Sequence, residues 1–301
     1  MQQDGVAQQE PIGVIGGSGL YEMEGFDQIE QRAVVTPFGE PSDALVGGTL
    51  SGRAVWFLPR HGRGHRILPH EINHRANIWA LRSLGVRWVI CVTAVGSLKD
   101  KYAPRSIVIP DQYFDRLSHR LEHTFFGKGI AAHVSFGEPL SSRLRHVLME
   151  ATREEQDLDV HFGGTYVNMD GPAFSTRAES EVNRRLGFDV IGMTNLPEAK
   201  LAREAEIALA TLCMVTDYDC WKDEEVSAEA VVSNVQANAA AARRIVARAV
   251  ENIPDRPEWP EHRALESAIM TAPSLWPPET VENLRPILTR FVEQGEDSDL
   301  N

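Results

Sequence analysis

The chain has 301 residues, 43% hydrophobic and 24% charged, with a formal net charge of −13 at pH 7. That length suits one large domain or two small ones with a sizeable core, and the acidic balance argues against broad nucleic-acid binding. MQQDGVAQQEP lacks a basic region followed by an apolar run, no stretch reaches about 18 apolar residues, and Cys91, Cys213 and Cys220 are odd in number and widely spaced; a cytoplasmic protein with free thiols and no membrane span is expected.

Residues 1–10 are polar and expected to be flexible. IGVIGG (12–17) reads as a short buried strand running into a glycine turn, and AVWFLPRHGRGH (54–65) as a strand and a loop. Pro69 suits the first turn of a helix over about 70–84 that Gly85 ends. WVICVTAVGS (88–97), SIVIPDQYFD (106–115), DVIGMTN (189–195) and LATLCMVTDYD (209–219) read as further strands, PEAKLAREAEIA (197–208) and residues 226–253 as helices. Apolar runs alternating with helices indicate an α/β fold whose sheet is covered on both faces. The expectation is a single domain over 11–255, with a central mixed, largely parallel twisted sheet flanked by helices. Pro254 to Pro260 reads as a linker, 256–294 as a helical extension on the same domain, and 295–301 as a flexible acidic tail.

His70-Glu71-Ile72-Asn73-His74 spells H-E-x-x-H, which on one helix places two zinc ligands and a general base. The longer form fails, since Asn77 and Ala80 occupy its Gly and His positions, and no glutamate that could supply a third ligand occurs between Arg75 and Leu121. An amphipathic helix with polar histidines is the expectation, and no metal. His61 and His65, separated by Gly-Arg-Gly, oppose helical pairing as well.

Chemistry in α/β sheets gathers at the carboxyl ends of strands. Ser18, Arg60, His61, Thr93, Ala94, Met193 and Thr194 are expected there and supply hydroxyl, guanidinium and backbone N–H donors. Each could be a cap or a strand terminus; together they resemble a phosphate cradle. Gly16-Gly17-Ser18-Gly19 fits neither the dinucleotide fingerprint nor the P-loop. Asp217 and Asp219 close the strongest strand. A lone Asp there reads as a turn residue, but two at i and i+2 on an extended chain point the same way. They could grip adjacent donors of a flat base, such as the N7 and 6-amino edge of adenine.

IGVIGGSGLY, TPFGEPSD, PRHGRGH, NHRANIWALRSLGV, VTAVGSL, IPDQYFDR, DGPAFSTRAE, IGMTNLPEAKLAREA and MVTDYDCW, in collinear order over about 11–255, resemble the S-methyl-5′-thioadenosine phosphorylases of the trimeric purine nucleoside phosphorylase superfamily. The resemblance implies phosphorolysis of methylthioadenosine to adenine and 5-methylthioribose 1-phosphate, with phosphate as co-substrate and no cofactor. It implies that Ser18, Arg60, His61, Thr93, Ala94 and Thr194 bind phosphate, that Met193 meets the ribose through its backbone, and that Phe174 and Ser175 border the base. Asp217 and Asp219 would hold N7 and the 6-amino group. His65 would line the 5′ pocket, His133 would reach it from a neighbouring subunit of a homotrimer, and Ala228, Val231 and Val232 would face the thioalkyl group. Ser18 stands where Thr is common, Ala173 where the family often has Arg, and Ala228 where a larger aliphatic is usual. A broader adenosine/inosine phosphorylase and a catalytically silent nucleoside-binding protein are the alternatives.

Overall fold

The computed structural model describes residues 10–17, 20, 23–118, 122–222, 227–255 and 257–298. Ser18 lies outside these, as do residues 1–9 of the N-terminal stretch and 299–301 of the acidic tail. The strands are β1 (Ile12–Gly16), β2 (Phe26–Arg32), β3 (Leu45–Leu50), β4 (Arg53–Pro59), β5 (Trp88–Ser97), β6 (Ile107–Ile109), β7 (Gln112–Asp115), β8 (Val160–Phe162), β9 (Thr165–Asn168), β10 (Val190–Gly192) and β11 (Ala208–Asp217). The helices are α1 (His74–Ser83), α2 (Ser142–Thr152), α3 (Arg177–Arg185), α4 (Asn195–Glu204), α5 (Ala228–Asn252), α6 (Pro278–Asn283) and α7 (Arg285–Ser298).

All eleven strands found among the described residues belong to one mixed sheet. Six of its ten pairings are parallel: β1 with β4 and β5, β5 with β11, β6 with β8, and β9 with β7 and β10. Along β1, β5 and β11 successive side chains alternate between two cores, as strand geometry requires. Ile12, Val14, Trp88, Ile90, Ala210 and Leu212 pack with Leu144 and Leu148 of α2 and with Ile245 and Val246 of α5. Ile15, Val89, Cys91 and Leu209 pack with Ile78 and Leu81 of α1, Leu201 of α4, and Ile287 and Leu288 of α7. Burial on both faces is why these strands read as solid apolar runs.

The C-terminal segment packs on that second core through Leu265, Ala268 and Leu284 as well, and the Trp79 indole donates to the Asn283 carbonyl at 2.9 Å. Of the stretch expected to be helical, residues 264–277 form turns and one short 3-10 turn, and α7 continues to Ser298.

Several expectations change. Pro110 breaks the run 106–115 into β6 and β7, because it has no N–H for a ladder. The strands β2 and β3 carry weak sequence signals: β2 (FDQIEQR) is polar, and β3 (LVGGTL) has glycines where side chains would be expected. A Cβ on Gly47 would lie 2.4 Å from the Trp56 ring, so an aromatic from β4 fills that space. H-E-x-x-H does not sit on one helix. Pro69–Glu71 is a single 3-10 turn, and α1 begins only at His74, where the Asn73 side chain accepts the Ala76 N–H at 3.1 Å. Asn73 is a strong N-cap inside the motif, so His70 and His74 lose the i,i+4 relation.

Glu204, at the end of α4, is 7% exposed and accepts the Phe125 N–H at 2.7 Å and the Thr124 hydroxyl at 2.8 Å. Burial pushes its carboxyl up to about 7. A carboxyl raised in the folded state contributes stability that is present below the unfolded value and lost as pH rises through the folded one. Glu204→Gln keeps an acceptor for Phe125 and does not titrate. Relative to the unmodified protein it should gain about 3 kcal/mol between pH 4.5 and pH 8, read by chemical denaturation at both pH values.

Candidate active site

The long strand β5 serves several partners. One edge pairs with β11 from Trp88 to Gly96. On the other edge β1 pairs only with Trp88–Cys91, and β10 only with Gly96 and Ser97. Between them Val92 to Val95 has no strand neighbour on that side among the described residues. This gap is where the candidate donors gather.

Gly17 leaves β1 beside it, Arg60 follows β4, and Met193 and Thr194 follow β10. The Arg60 Nη1 donates to the Val92 carbonyl at 3.1 Å, which places the guanidinium at the gap. Backbone groups alternate along a strand, so the Ala94 N–H faces the same edge as the Val92 carbonyl. Thr93 and Ala94 thus lie within β5 rather than at its end as expected: β1 stops short and leaves a strand interior open. Thr93 and Thr194 are both buried. Thr194 occupies the N-cap position of α4 but makes no side-chain capping hydrogen bond, because the Asn168 Oδ1 accepts the Leu196 N–H at 3.0 Å instead. An α-helix N-terminus with an uncapped hydroxyl favours an anion.

Arg60, 2% exposed, donates from Nε and Nη2 to the two carboxylate oxygens of Glu198, which is fully buried. Burial penalises the Glu198 charge, yet Arg60 outweighs it and holds the carboxyl below its ordinary range. The His61 Nδ1 lies 2.9 Å from the Ile67 carbonyl, so Nδ1 carries the proton. Burial and then the Arg60 charge push His61 down to about 4, leaving Nε2 an acceptor at pH 7. His65, exposed and at a φ of 54°, stacks on His61 with ring centroids 4.3 Å apart. His74, buried beside Glu198, is likewise pushed down to about 4 by burial.

At the far end of the gap stand the aspartates. Asp217 ends β11 opposite Gly96 of β5. A Cβ on Gly96 would lie 2.9 Å from the Asp217 Oδ1, 3.1 Å from Ile191 and 3.4 Å from the Asp219 Cβ, so only glycine lets both come this close. The chain is not extended through Asp219 as expected. Asp219 adopts a φ of 51° and donates its N–H to the Asp217 Oδ1 at 2.7 Å, so an Asx turn brings the pair together. The Thr216 hydroxyl donates to the other Asp217 oxygen at 2.7 Å. Burial raises both carboxyls from their ordinary values; the Asp219 charge adds to this at Asp217. Asp219 is 4% exposed, and its Oδ2 is buried without a hydrogen-bond partner among the described residues, although the Ser180 and Ser175 hydroxyls stand near enough to hold its carboxyl down somewhat.

The segment carrying Phe174 and Ser175 closes this end. The Cys220 thiol donates to the Ser175 carbonyl at 3.1 Å, and Gly171 lies against Met193. Phe174 is 44% exposed. Asp170 accepts the Ser118 N–H and hydroxyl, which gives it a loop-fixing role. The Asn234 amide donates to the Thr216 carbonyl at 2.7 Å and fixes the start of α5 beside the aspartates; Val231 there is half-buried, and Ala228 and Val232 are exposed. His133 stands apart on an exposed loop, its N–H donating to Ala268 of the C-terminal segment. Arg60, Ala94, Thr93, Thr194 and Met193 therefore gather at one stretch of β5, with Asp217, Asp219 and Ser175 at its end. From Val92 to Gly96 the strand runs about 13 Å.

The sequence reading missed Glu198, Asn168 and Gly96. Their signals are an acidic residue one position after Pro197 in a helix otherwise destined for burial, a polar residue ending a strand, and a glycine inside an apolar run.

Residues 11–251 match the sequence profile of the phosphorylase superfamily. The S-methyl-5′-thioadenosine phosphorylase of Chloroflexus aurantiacus is 53% identical over 282 residues, 93% of this chain and 98% of that protein. A solved methylthioadenosine phosphorylase from an Antarctic soil metagenomic library is 45% identical, with a TM-score of 0.89 over 93% of this chain and 99% of the other. A point mutant of the Schistosoma mansoni adenosine/methylthioadenosine phosphorylase, in complex with methylthioadenosine, is 34% identical, with a TM-score of 0.78 over 93% of this chain and 97% of the other.

Gly96→Ala tests the close approach at the aspartates. The new methyl must displace the Asp217 carboxylate, so turnover of the unmodified protein's own substrate should fall about 10–100-fold, while stability falls by only about 1–3 kcal/mol. Steady-state kinetics beside a thermal melt separates the two.

Proposed function

The chain belongs to the phosphorylase superfamily and, within it, to the S-methyl-5′-thioadenosine phosphorylases, and from that premise we propose the phosphorolysis of methylthioadenosine to adenine and 5-methylthioribose 1-phosphate at the β5 gap. The observation that carries this reading is the placement of anion donors beside the gap in β5 and of a raised carboxyl pair at Gly96, the residue that follows it, reached from β11 on the other edge. A length of about 13 Å accommodates phosphate, ribose and purine in sequence.

In this reading Arg60, Thr93, Thr194, the Ala94 N–H and Ser18 hold phosphate beneath the sugar. The neutral His61 Nε2 accepts a hydrogen bond from a protonated phosphate oxygen. The Met193 backbone meets the ribose hydroxyls; Phe174 and Ser175 border the base. Cleavage of the glycosidic bond develops positive charge on the ribose, as in glycoside hydrolysis, and the preorganised anion stabilises it before attacking C1′. Asp217, its carboxyl raised by burial and by Asp219, protonates or strongly hydrogen-bonds N7 as adenine leaves. Asp219, one of whose oxygens has no hydrogen-bond partner among the described residues, accepts the 6-amino group. The chemistry needs no metal or organic cofactor: phosphate is the second substrate.

His65, Val231, Val232 and Ala228 form the 5′ side, and the small Ala228 leaves room for longer 5′ substituents. A homotrimer in which the His133 of one copy completes a neighbour's site is supported by the exposure of His133 and by the apolar side chains of Phe114, Val182 and Leu186. These are 44%, 44% and 59% exposed, on the edge strand β7, on α3 and at the C-cap of α3 respectively. No helix among the described residues is long and apolar enough to cross a membrane. The free Cys91, Cys213 and Cys220 support a place in the reducing cytoplasm.

The test is adenine release from methylthioadenosine with and without phosphate, beside adenosine and inosine. Release should require phosphate and favour the 6-amino nucleosides; phosphate-independent release or none at all refutes the reading. Asp217→Asn should lower the rate by about 10²–10⁴-fold. Asp219→Asn should weaken adenine nucleosides and improve inosine, measured as the ratio of kcat/KM values; an unchanged ratio removes Asp219 from base recognition.

A further inference from the structure

Beneath the gap lies a buried carboxylate that the proposed chemistry does not use. Glu198 is fully buried in the first turn of α4. Besides its two bonds from Arg60 it accepts the Asn195 amide at 2.9 Å and the Cys91 thiol at 3.1 Å, and His74 Nδ1 stands 3.9 Å away. Three of the five guanidinium N–H groups of Arg60 are thereby engaged, two by Glu198 and one by Val92, and the Cys91 sulfur also lies against the guanidinium. Three consequences follow. The cation expected to grip phosphate already has a counter-ion. His61 and His74 contribute no charge at pH 7. The gap thus meets an anion mainly with N–H groups, hydroxyls and the start of α4.

We propose that Glu198 is an internal counter-ion that sets the strength of phosphate binding, orienting Arg60 toward the gap while cancelling its charge so that the anion is held and then released with the sugar. The proposal rests on the phosphorolytic reading of the site. Removing the charge has two opposed effects. Arg60 loses a bidentate anchor, which weakens phosphate binding. A full negative charge close to the anion also disappears, and a buried guanidinium is left for phosphate alone to neutralise. At such short range inside the protein the charge effect is the larger.

Glu198→Gln should therefore lower the KM for phosphate about tenfold, leave the KM for methylthioadenosine within about threefold, and not raise kcat. Its melting temperature should fall without phosphate and rise more steeply with added phosphate than that of the unmodified protein, since the ligand replaces the missing counter-ion. Glu198→Asp retains the charge and should keep the phosphate KM within about threefold while losing stability. A purely structural glutamate would lower the melting temperature of both variants and leave the phosphate dependence of each as in the parent. That result, or a raised phosphate KM in the Gln variant, overturns the proposal. Recovery of the Gln variant only in phosphate buffer supports it. If that variant folds in no buffer, a phosphate KM changed tenfold or more in the Asp variant overturns it. Absence of phosphate dependence in the unmodified protein is a different failure: it removes the phosphorolytic reading and this proposal with it.

Discussion

β5 has ten residues and more neighbours than a strand of uniform pairing would have. β11 runs along one edge almost throughout, while β1 and β10 share the other and do not meet. Every backbone group of a buried strand must find a partner, so Val92 and Ala94, whose groups face the space between β1 and β10, are costly unless something else comes to them. The Arg60 side chain does so at Val92, and a bound anion does so at Ala94 in the phosphorolytic reading. The site is thus a stretch of unfinished sheet, held open because rigid strands continue on either side.

The same constraint explains the apolar character of the surroundings. Two cores, one under α2 and α5 and the other under α1, α4 and α7, clamp β5 from both faces. The low-dielectric interior strengthens each polar contact that remains. It raises Asp217 and Asp219, depresses His61 and His74, and makes the Arg60–Glu198 pair obligatory, since a lone buried charge of either sign is expensive. The charges at the two ends of the gap therefore differ in kind. At one end a cation is matched by its own carboxylate. At the other, two carboxyls are pressed toward their neutral forms, and in the phosphorolytic reading one of them, Asp217, donates to the leaving purine.

Much of this was legible in the linear chain. Solid apolar runs at 12–17, 88–97 and 209–219 announce strands buried on both faces, and polar residues in and after them mark the candidate site. Arg60, Thr194, Asp217 and Asp219 could be singled out because a charged or hydroxyl side chain next to a buried strand has few structural uses. The weak elements were those whose stability comes from distant partners. β3 is glycine-rich because the Trp56 and Phe26 rings fill its missing side chains, and H-E-x-x-H reads as helical until Asn73 caps α1 in the middle of it.

The sequence by itself determined the fold class, the buried strands and the roster of candidate donors and carboxylates, because these depend on residue type and short-range periodicity. Tertiary structure alone decided that β1 and β10 leave a gap, that Thr93 and Ala94 sit inside a strand and still face it, and that Asp219 reaches Asp217 through a left-handed turn. It also decided that Arg60 is paired with Glu198, 138 positions away along the chain. Pairing register and salt-bridge partners are set by which strands run side by side, and no local pattern of residues encodes that adjacency.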